Sequence, residues 1–236
     1  MHITFLAHDG FFIELDTVCL LFDWWKEALP PLPDKPLLVF VSHRHEDHFK
    51  PDIFRLASSH PDIRFLLGSD FRLTAKNLEK WHISPETAAQ CRRCGKHEAF
   101  DVLPNVTVET FPSTDEGVAW LVTAEGRALF HAGDLNWWHW AEESHQWNRN
   151  MEANFKHYTE PLRGRRADVA MLPLDPRLGQ DGFLGPRYFL ELMDVGRFLP
   201  MHQWEDFAFT DAFLAACPQY APITTPIHHS TEHWTF

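Results

Sequence analysis

Only four of the 236 residues are cysteine, Cys19, Cys91, Cys94 and Cys217, too few and too scattered to hold a small secreted domain together by disulfides. No apolar run approaches the roughly 20 residues that a membrane-spanning helix needs. The opening Met1–Leu6 is apolar, but His8, Asp9, Glu14 and Asp16 soon interrupt it. It lacks the basic start and unbroken apolar stretch of a signal peptide, so a cytoplasmic protein without a membrane segment is expected. Basic residues are also in short supply: 21 Lys plus Arg face 33 Asp plus Glu, a formal net charge of −12. Such a surface repels phosphate backbones, which disfavours nucleic acid as a partner. No low-complexity linker divides the chain and no close repeat is visible, so one compact domain over residues 1–236 is expected.

What is present reads as alternating strand and helix. Apolar runs at Ile3–Leu6, Phe11–Leu15 and Val18–Phe22 are separated by His8-Asp9-Gly10 and Asp16-Thr17, both good turn chemistry. A proline-rich connector, Pro30 to Pro36, leads into the apolar run Leu37–Val41. Helical patterning is read over Lys50–Ser59 and Phe71–Trp81, with a strand at Arg64–Leu67 between them. Further strands are expected at Val106–Phe111, Ala119–Thr123 and Ala128–His131, the last two joined by a hairpin turn at Glu125-Gly126. Asp134 to Tyr158 reads as largely helical, Ala167–Leu174 as a buried strand, Tyr188–Met193 as a helix, Arg197–Pro200 as a short strand and Asp211–Ala216 as a helix. This alternation implies an α/β fold.

The chemistry concentrates in Ser42-His43-Arg44-His45-Glu46-Asp47-His48, directly after an apolar strand. Alternate side chains of an extended segment share a face, so His43 and His45 point together while Asp47 and His48 are free to diverge towards a second centre. Imidazole nitrogen and carboxylate oxygen suit zinc, manganese or iron. Sixteen histidines make chance clusters easy, and a solvated loop is the bland alternative. Two other strand ends argue against it: Phe130-His131-Ala132-Gly133-Asp134 delivers a carboxylate, and Phe198-Leu199-Pro200-Met201-His202 an imidazole.

Together these segments resemble the metallo-β-lactamase superfamily, and the resemblance covers nearly the whole chain. Within it, the segments around His8-Asp9-Gly10, His131–Asp134 and Pro200-Met201-His202 are most similar to the branch containing ascorbate-6-phosphate lactonase. The resemblance implies an αββα sandwich with a metal groove between two sheets. It implies Zn2+, one or two ions, with Mn2+ or Fe2+ as substitutes. His43 and His45 would serve one site, Asp47, His48 and His202 the other, and Asp134 would bridge them or bind the second. Asp23 falls where the family places an Asp that supports the metal loop, although a plain turn residue is the alternative. The family's further site-one histidine is missing. Ser113 stands at its position, with Asp115 as a substitute ligand; otherwise that site is weakened or empty.

The function implied is hydrolysis of a small polar or anionic metabolite by a metal-bound hydroxide, with a lactone or phosphoester as the leading substrate. Asp47 and Asp134 are the catalytic candidates, and His139 or Asp115 a speculative proton donor. β-Lactam hydrolysis and nuclease activity rank lower. A non-catalytic metal sensor is an alternative because of the missing histidine. An iron-dependent oxidoreductase is another, although the diiron branch usually has Glu where this chain has His45. Trp137, Trp138, His139 and Trp204 either pack the core or wall the substrate pocket. Arg177 and Arg187 are surface residues by default, although a guanidinium near the groove would suit an anionic substrate. Cys91-Arg92-Arg93-Cys94, near His82 and His97, is a lone CxxC for which a small zinc knuckle is the minor reading. The tail His228–His233 is expected to be solvated. Composition does not set the oligomeric state, and a homo-oligomer stays open.

Overall fold

Three short apolar runs separated by turn residues form an antiparallel meander, β1 (His2–Phe5), β2 (Phe11–Glu14) and β3 (Cys19–Phe22), with Ile3 opposite Ile13 and Phe12 opposite Leu21. These belong to the first of two compact units in the computed structural model, which describes Met1–Phe236. The first unit comprises Met1–Gly95 with Ser230–Phe236, the second Lys96–His229.

In the first unit, β4 (Leu37–Val41), β5 (Ile63–Leu67) and β6 (Cys91–Arg93) join β3 in parallel. Every residue of β4 is buried, as expected of a strand covered on both faces. The connections are a 3₁₀ segment Pro51–Ser58 and two short helices, α1 (Ala75–Lys80) and α2 (Pro85–Ala89). Their starts follow capping chemistry: the Thr74 and Ser84 side chains accept the backbone N–H of Asn77 and Thr87, and Pro85 takes the first helical position. Phe54, Phe65, Phe71 and Trp81 are buried together under this sheet, and Phe49 meets Trp81 edge-on at 5.4 Å.

The second unit opens with the meander β7 (Ala99–Leu103), β8 (Val106–Pro112), β9 (Val118–Ala124) and β10 (Arg127–His131). The β9–β10 turn is Glu125-Gly126, with φ of 52° and 74°, the two positive values that a type I′ hairpin requires. Then follow α3 (His145–Thr159), the two-residue β11 (Arg166–Ala167), β12 (Val169–Pro173), α4 (Leu184–Leu192), the two-residue β13 (Asp194–Val195), β14 (Phe198–Met201) and α5 (Phe209–Ala216). β12 pairs in parallel with both β10 and β14. The helices pack on this sheet through aromatics: Phe189 of α4 touches Phe130 at 5.5 Å and Phe155 of α3 at 5.3 Å, while Phe213 of α5 meets Phe198 at 5.9 Å.

The last strand, β15 (His233–Thr235), returns to the first unit and pairs antiparallel with β1. The tail read as solvated therefore ends in a strand, because β1 offers an open row of backbone donors and acceptors. The first sheet runs β15-β1-β2-β3-β4-β5-β6 and the second β14-β12-β10-β9-β8-β7. Two helices are shorter than their sequence patterns. The 71–81 pattern yields a helix only after its Thr74 cap. The 134–158 pattern yields one only after Ser144, because the Asn148 side chain holds Trp140 by both its backbone N–H and its carbonyl, at 3.1 and 2.8 Å.

Parallel pairing puts successive strand ends at the same edge of a sheet, and every candidate site residue but one group lies just beyond such an end. β3, β4 and β5 lead into Asp23, Ser42–His48 and Gly68–Asp70. β10, β12 and β14 lead into Asp134, Asp175 and His202. Gly68 shows how tight the first arrangement is. A Cβ there would lie 1.9 Å from the carbonyl oxygen of Ser42, the residue that opens the histidine loop. Backbone atoms cannot yield as a side chain can, so Gly68→Ala is expected to cost ~2–3 kcal/mol of stability, read from the urea midpoint.

Candidate metal centre

The first unit carries the histidine loop. After Val41 the chain leaves the strand and turns, with the N–H of His48 and of Phe49 both donating to the His45 carbonyl at 3.1 and 3.0 Å. The alternation expected of an extended segment is thus replaced by a turn, and the three rings stay together. His43 and His45 lie 4.4 Å apart between centroids, with Nε2 of one 2.9 Å from Nδ1 of the other. The His48 ring lies 4.1 Å from that of His43.

Asp23 organises this loop. It is fully buried and accepts the Ser42 N–H at 2.7 Å, the Ser42 hydroxyl at 2.6 Å, and shares a hydrogen bond with His48 Nδ1 at 2.9 Å. Its own φ is 39°, a left-handed conformation that Asp tolerates better than most residues. The Ser42 hydroxyl lies 2.9 Å from His43 Nδ1. Two more residues join, neither expected from the sequence to be a ligand. Asp9 Oδ2 lies 3.5 Å from His48 Nδ1, and His8 Nε2 lies 3.3 Å from Asp47 Oδ2. His8, Asp9 and His48 offer ligand atoms within 4.8 Å of one another. Burial pushes the Asp47 carboxyl up, but its bond to His8 and the charges of His48 and His8 outweigh this and hold it well below the usual carboxylate range.

The second unit carries Asp115, Asp134 and His202. Asp134 stands in the tight turn after β10, where Gly133 has φ of 50° and the Leu135 N–H donates to the Ala132 carbonyl at 3.0 Å. Thr114 ties this turn to the one carrying Asp115: its hydroxyl donates to the Asn136 carbonyl at 2.7 Å and accepts the Asn136 N–H at 3.0 Å. Asp115 and Asp134 accordingly offer carboxylate oxygens within 4.8 Å of each other. The Ser113 hydroxyl accepts the Asp115 N–H at 3.1 Å, so Ser113 shapes the turn that presents Asp115. His202, with φ of 62°, places Nε2 3.3 Å from Asp134 Oδ1. Its Nδ1 lies 3.0 Å from Oδ2 of Asp175, a fully buried residue whose role in the site the sequence reading missed.

The tryptophans divide. Trp137 packs against Phe155 of α3 at 6.0 Å and Tyr188 of α4 at 6.3 Å. Trp138 donates its indole N–H to the Asp134 carbonyl at 3.0 Å, meets His202 edge-on at 5.4 Å and stacks on Trp140 at 6.1 Å. Trp204 approaches His202 at 5.7 Å. His139 Nδ1 is paired with Asp181 Oδ2 at 2.9 Å. Arg177 grips Asp175, and Arg187 is exposed on α4. The CxxC cysteines join no group of metal-capable side chains; the Cys91 thiol donates to the Thr87 carbonyl at 3.3 Å, and burial pushes its pKa up to about 12. His228 and His229 are exposed and belong to no such group either.

In three of the histidines the chain itself engages Nδ1: Ser42 for His43, Asp23 for His48 and Asp175 for His202. Outer hydrogen bonds of this kind fix the tautomer and ring of a metal-ligating imidazole, with Nε2 as the ligand atom. His43 Nε2 and His45 Nδ1 lie 2.9 Å apart, within a few tenths of an ångström of the ~3.3 Å between two nitrogens on one tetrahedral ion with metal–nitrogen bonds of about 2.0–2.1 Å. The residues present therefore fit an ion such as zinc.

Residues 21–202 match the model of the β-lactamase superfamily domain. Solved structures share the fold. A metallo hydrolase, Igni18, from the hyperthermophilic archaeon Ignicoccus hospitalis matches with a TM-score of 0.66 at 17% identity, over 100% of this chain and 98% of that one. The metallo-β-lactamase fold protein YhfI from Bacillus subtilis matches with a TM-score of 0.64 at 14% identity, over 99% of both chains. CmlA, a diiron β-hydroxylase from Streptomyces venezuelae, matches with a TM-score of 0.65 at 10% identity, over 100% of this chain but 54% of its own. The mixed α/β class expected from the sequence is thus the one observed, with helices on both sheets. No curated protein matches the chain. No helix is long and apolar enough to cross a membrane.

Proposed function

Because the chain belongs to the β-lactamase superfamily, we propose that it is a metal-dependent hydrolase of a small polar or anionic metabolite, with lactones and phosphoesters the leading substrate classes. The observation that carries this reading is the engagement of Nδ1 in His43, His48 and His202, which prepares three imidazoles as ligands. We assign His8, Asp9, His43, His45 and His48 of the first unit as metal ligands, and Asp115, Asp134 and His202 of the second. Asp115 then stands in for the histidine that the family supplies from the Ser113 turn.

When bound, such an ion contributes Lewis acidity and lowers the pKa of a coordinated water towards ~7. The chain's part is to orient that water and manage its protons. Asp47, partly exposed and ionised through its contact with His8, is assigned to hold the attacking water and take its proton at a carboxylate oxygen. The water oxygen then bonds to the carbonyl carbon or phosphorus, the ester C–O or P–O bond breaks, and the departing oxygen takes up a proton. Trp138 and Trp204, beside His202, wall the approach.

Metal analysis of the purified protein tests the assignment. Two ions per chain are expected, falling to one in Asp115→Ala. Two tightly held ions in that variant would overturn the role given to Asp115. A panel of lactones and phosphodiesters, run with zinc- and manganese-loaded protein, tests the hydrolase reading itself. Tight metal binding with silence across the panel would favour a sensor.

A further inference from the structure

Arg177 lies two residues beyond Asp175, in the first turn of the 3₁₀ segment Pro176–Phe183. Its backbone N–H donates to Asp175 Oδ1 at 2.8 Å, its Nε lies 3.0 Å and 2.9 Å from the two carboxylate oxygens, and its Nη2 donates to Oδ2 at 2.5 Å. The same Oδ2 receives His202 Nδ1, whose Nε2 faces Asp134. A continuous line of hydrogen bonds therefore runs from the guanidinium through one buried carboxylate to a candidate metal ligand.

The other side of the guanidinium is occupied too. Its central carbon lies 4.6 Å from the ring of Trp204 and 5.4 Å from that of Trp140. Trp204 is 46% exposed, so its indole gains little from burial where it stands. Its backbone is nonetheless held at φ 51°, followed by Glu205 at 66°, a left-handed pair that bulky residues adopt at a cost. Contact with a flat cation accounts for that placement. An ordinary surface ion pair would not need it, since such pairs contribute little and leave both partners mobile. Here one partner is fully buried and the other, though its side chain is 45% exposed, lies against two indoles.

We propose that Arg177 is a positioning residue for the metal ligand His202, acting through Asp175 and held in plane by Trp140 and Trp204. Without the guanidinium, Asp175 keeps its backbone donor and His202 but loses Nε and Nη2. Its carboxylate is then free to turn, and the His202 ring turns with it. Metal ligands tolerate only ~10–20° of such misalignment. The proposal rests on the reading that His202 binds a metal.

Zinc affinity, measured by titrating the metal-stripped protein against a chromophoric chelator, tests it without requiring a substrate. Arg177→Met is expected to weaken zinc binding by about 10-fold or more, the scale typical of outer hydrogen-bond partners. Arg177→Lys should fall between Met and the wild type, because an ammonium cannot fork across both oxygens. Trp204→Ala, a change at an exposed position, should weaken binding by a smaller factor and decides the matter if Arg177→Met fails to fold. If the path runs through Asp175, Arg177→Met on an Asp175→Asn background should add nothing further. Additive losses overturn the route through Asp175. Unchanged affinity in the Arg177 and Trp204 variants, with a loss in His202→Ala, overturns the proposal alone. Unchanged affinity in His202→Ala overturns the ligand reading on which it rests.

Discussion

Asp47→Ala is expected to lower kcat by about 10²- to 10⁴-fold, the contribution of a well-placed acid–base group, on whichever lactone or phosphodiester the loaded wild-type protein turns over. The side chain is about a quarter exposed and faces His8 at 3.3 Å, so its removal leaves no large buried void. The loss should therefore appear in kcat of a protein that still folds. Its charge also predicts the acid side of the profile. His8 and His48 hold this carboxyl below its ordinary range, so it stays ionised as pH falls through the usual carboxylate values. The same depressed carboxyl contributes stability above its unfolded-state pKa, and that contribution is lost only as pH falls through the lower folded-state value. An Asp47→Ala protein that hydrolyses the substrate at the wild-type rate would remove Asp47 from the mechanism.

Asp23→Ala should have the largest effect on stability, at least ~3 kcal/mol by urea unfolding, because buried donors left without an acceptor cost about 1–3 kcal/mol each. Three groups depend on this carboxylate: the Ser42 N–H, the Ser42 hydroxyl and His48 Nδ1. The backbone adds to the penalty, since φ at this position is 39° and Ala lacks the local hydrogen bonds that help Asp adopt it. Asp23→Asn keeps the shape and one acceptor, and is expected to retain about half of the lost stability. Zinc affinity in Asp23→Ala should fall by about 10- to 100-fold, measured in the protein that remains folded at low temperature. A variant as stable as the wild type would show that Asp23 is only a turn residue.

The legible part of the chain was the part where local pattern and tertiary role coincide. Leu37–Val41 reads as a strand that delivers His43, His45, Asp47 and His48 at its end, and the strand is there. The opening meander and the Glu125-Gly126 hairpin were equally plain, because their turns need particular residues. Asp175 was not legible. Leu174-Asp175-Pro176-Arg177 looks like a turn, and nothing local indicates that its carboxylate meets His202, 27 positions later. His8 and Asp9 were read as turn residues and as part of a family resemblance, not as site residues, for the same reason: their partners Asp47 and His48 lie far away in the sequence. The short elements α2, β6 and β7 carry too little apolar periodicity to stand out; α2 has no buried residue at all. The tryptophan stretch was over-read as helix because its backbone is held by side chains such as Asn148 and Thr114, which no periodicity reports.

Both sheets are open, and an open sheet invites another chain to add a strand at each end. In this protein none of the four ends offers a good template. β6 is three residues long and contains Arg92 and Arg93, and β15 is also only three residues long. β14 places Pro200, which has no N–H to donate, in a four-residue strand. β7 breaks register between Asp101 and Leu103, the kind of bulge that turns a border away from a flat neighbour. With a net charge of −12 repelling like copies, the chain should resist ribbon-like self-association even at concentrations where two flat, uncharged sheets would stick.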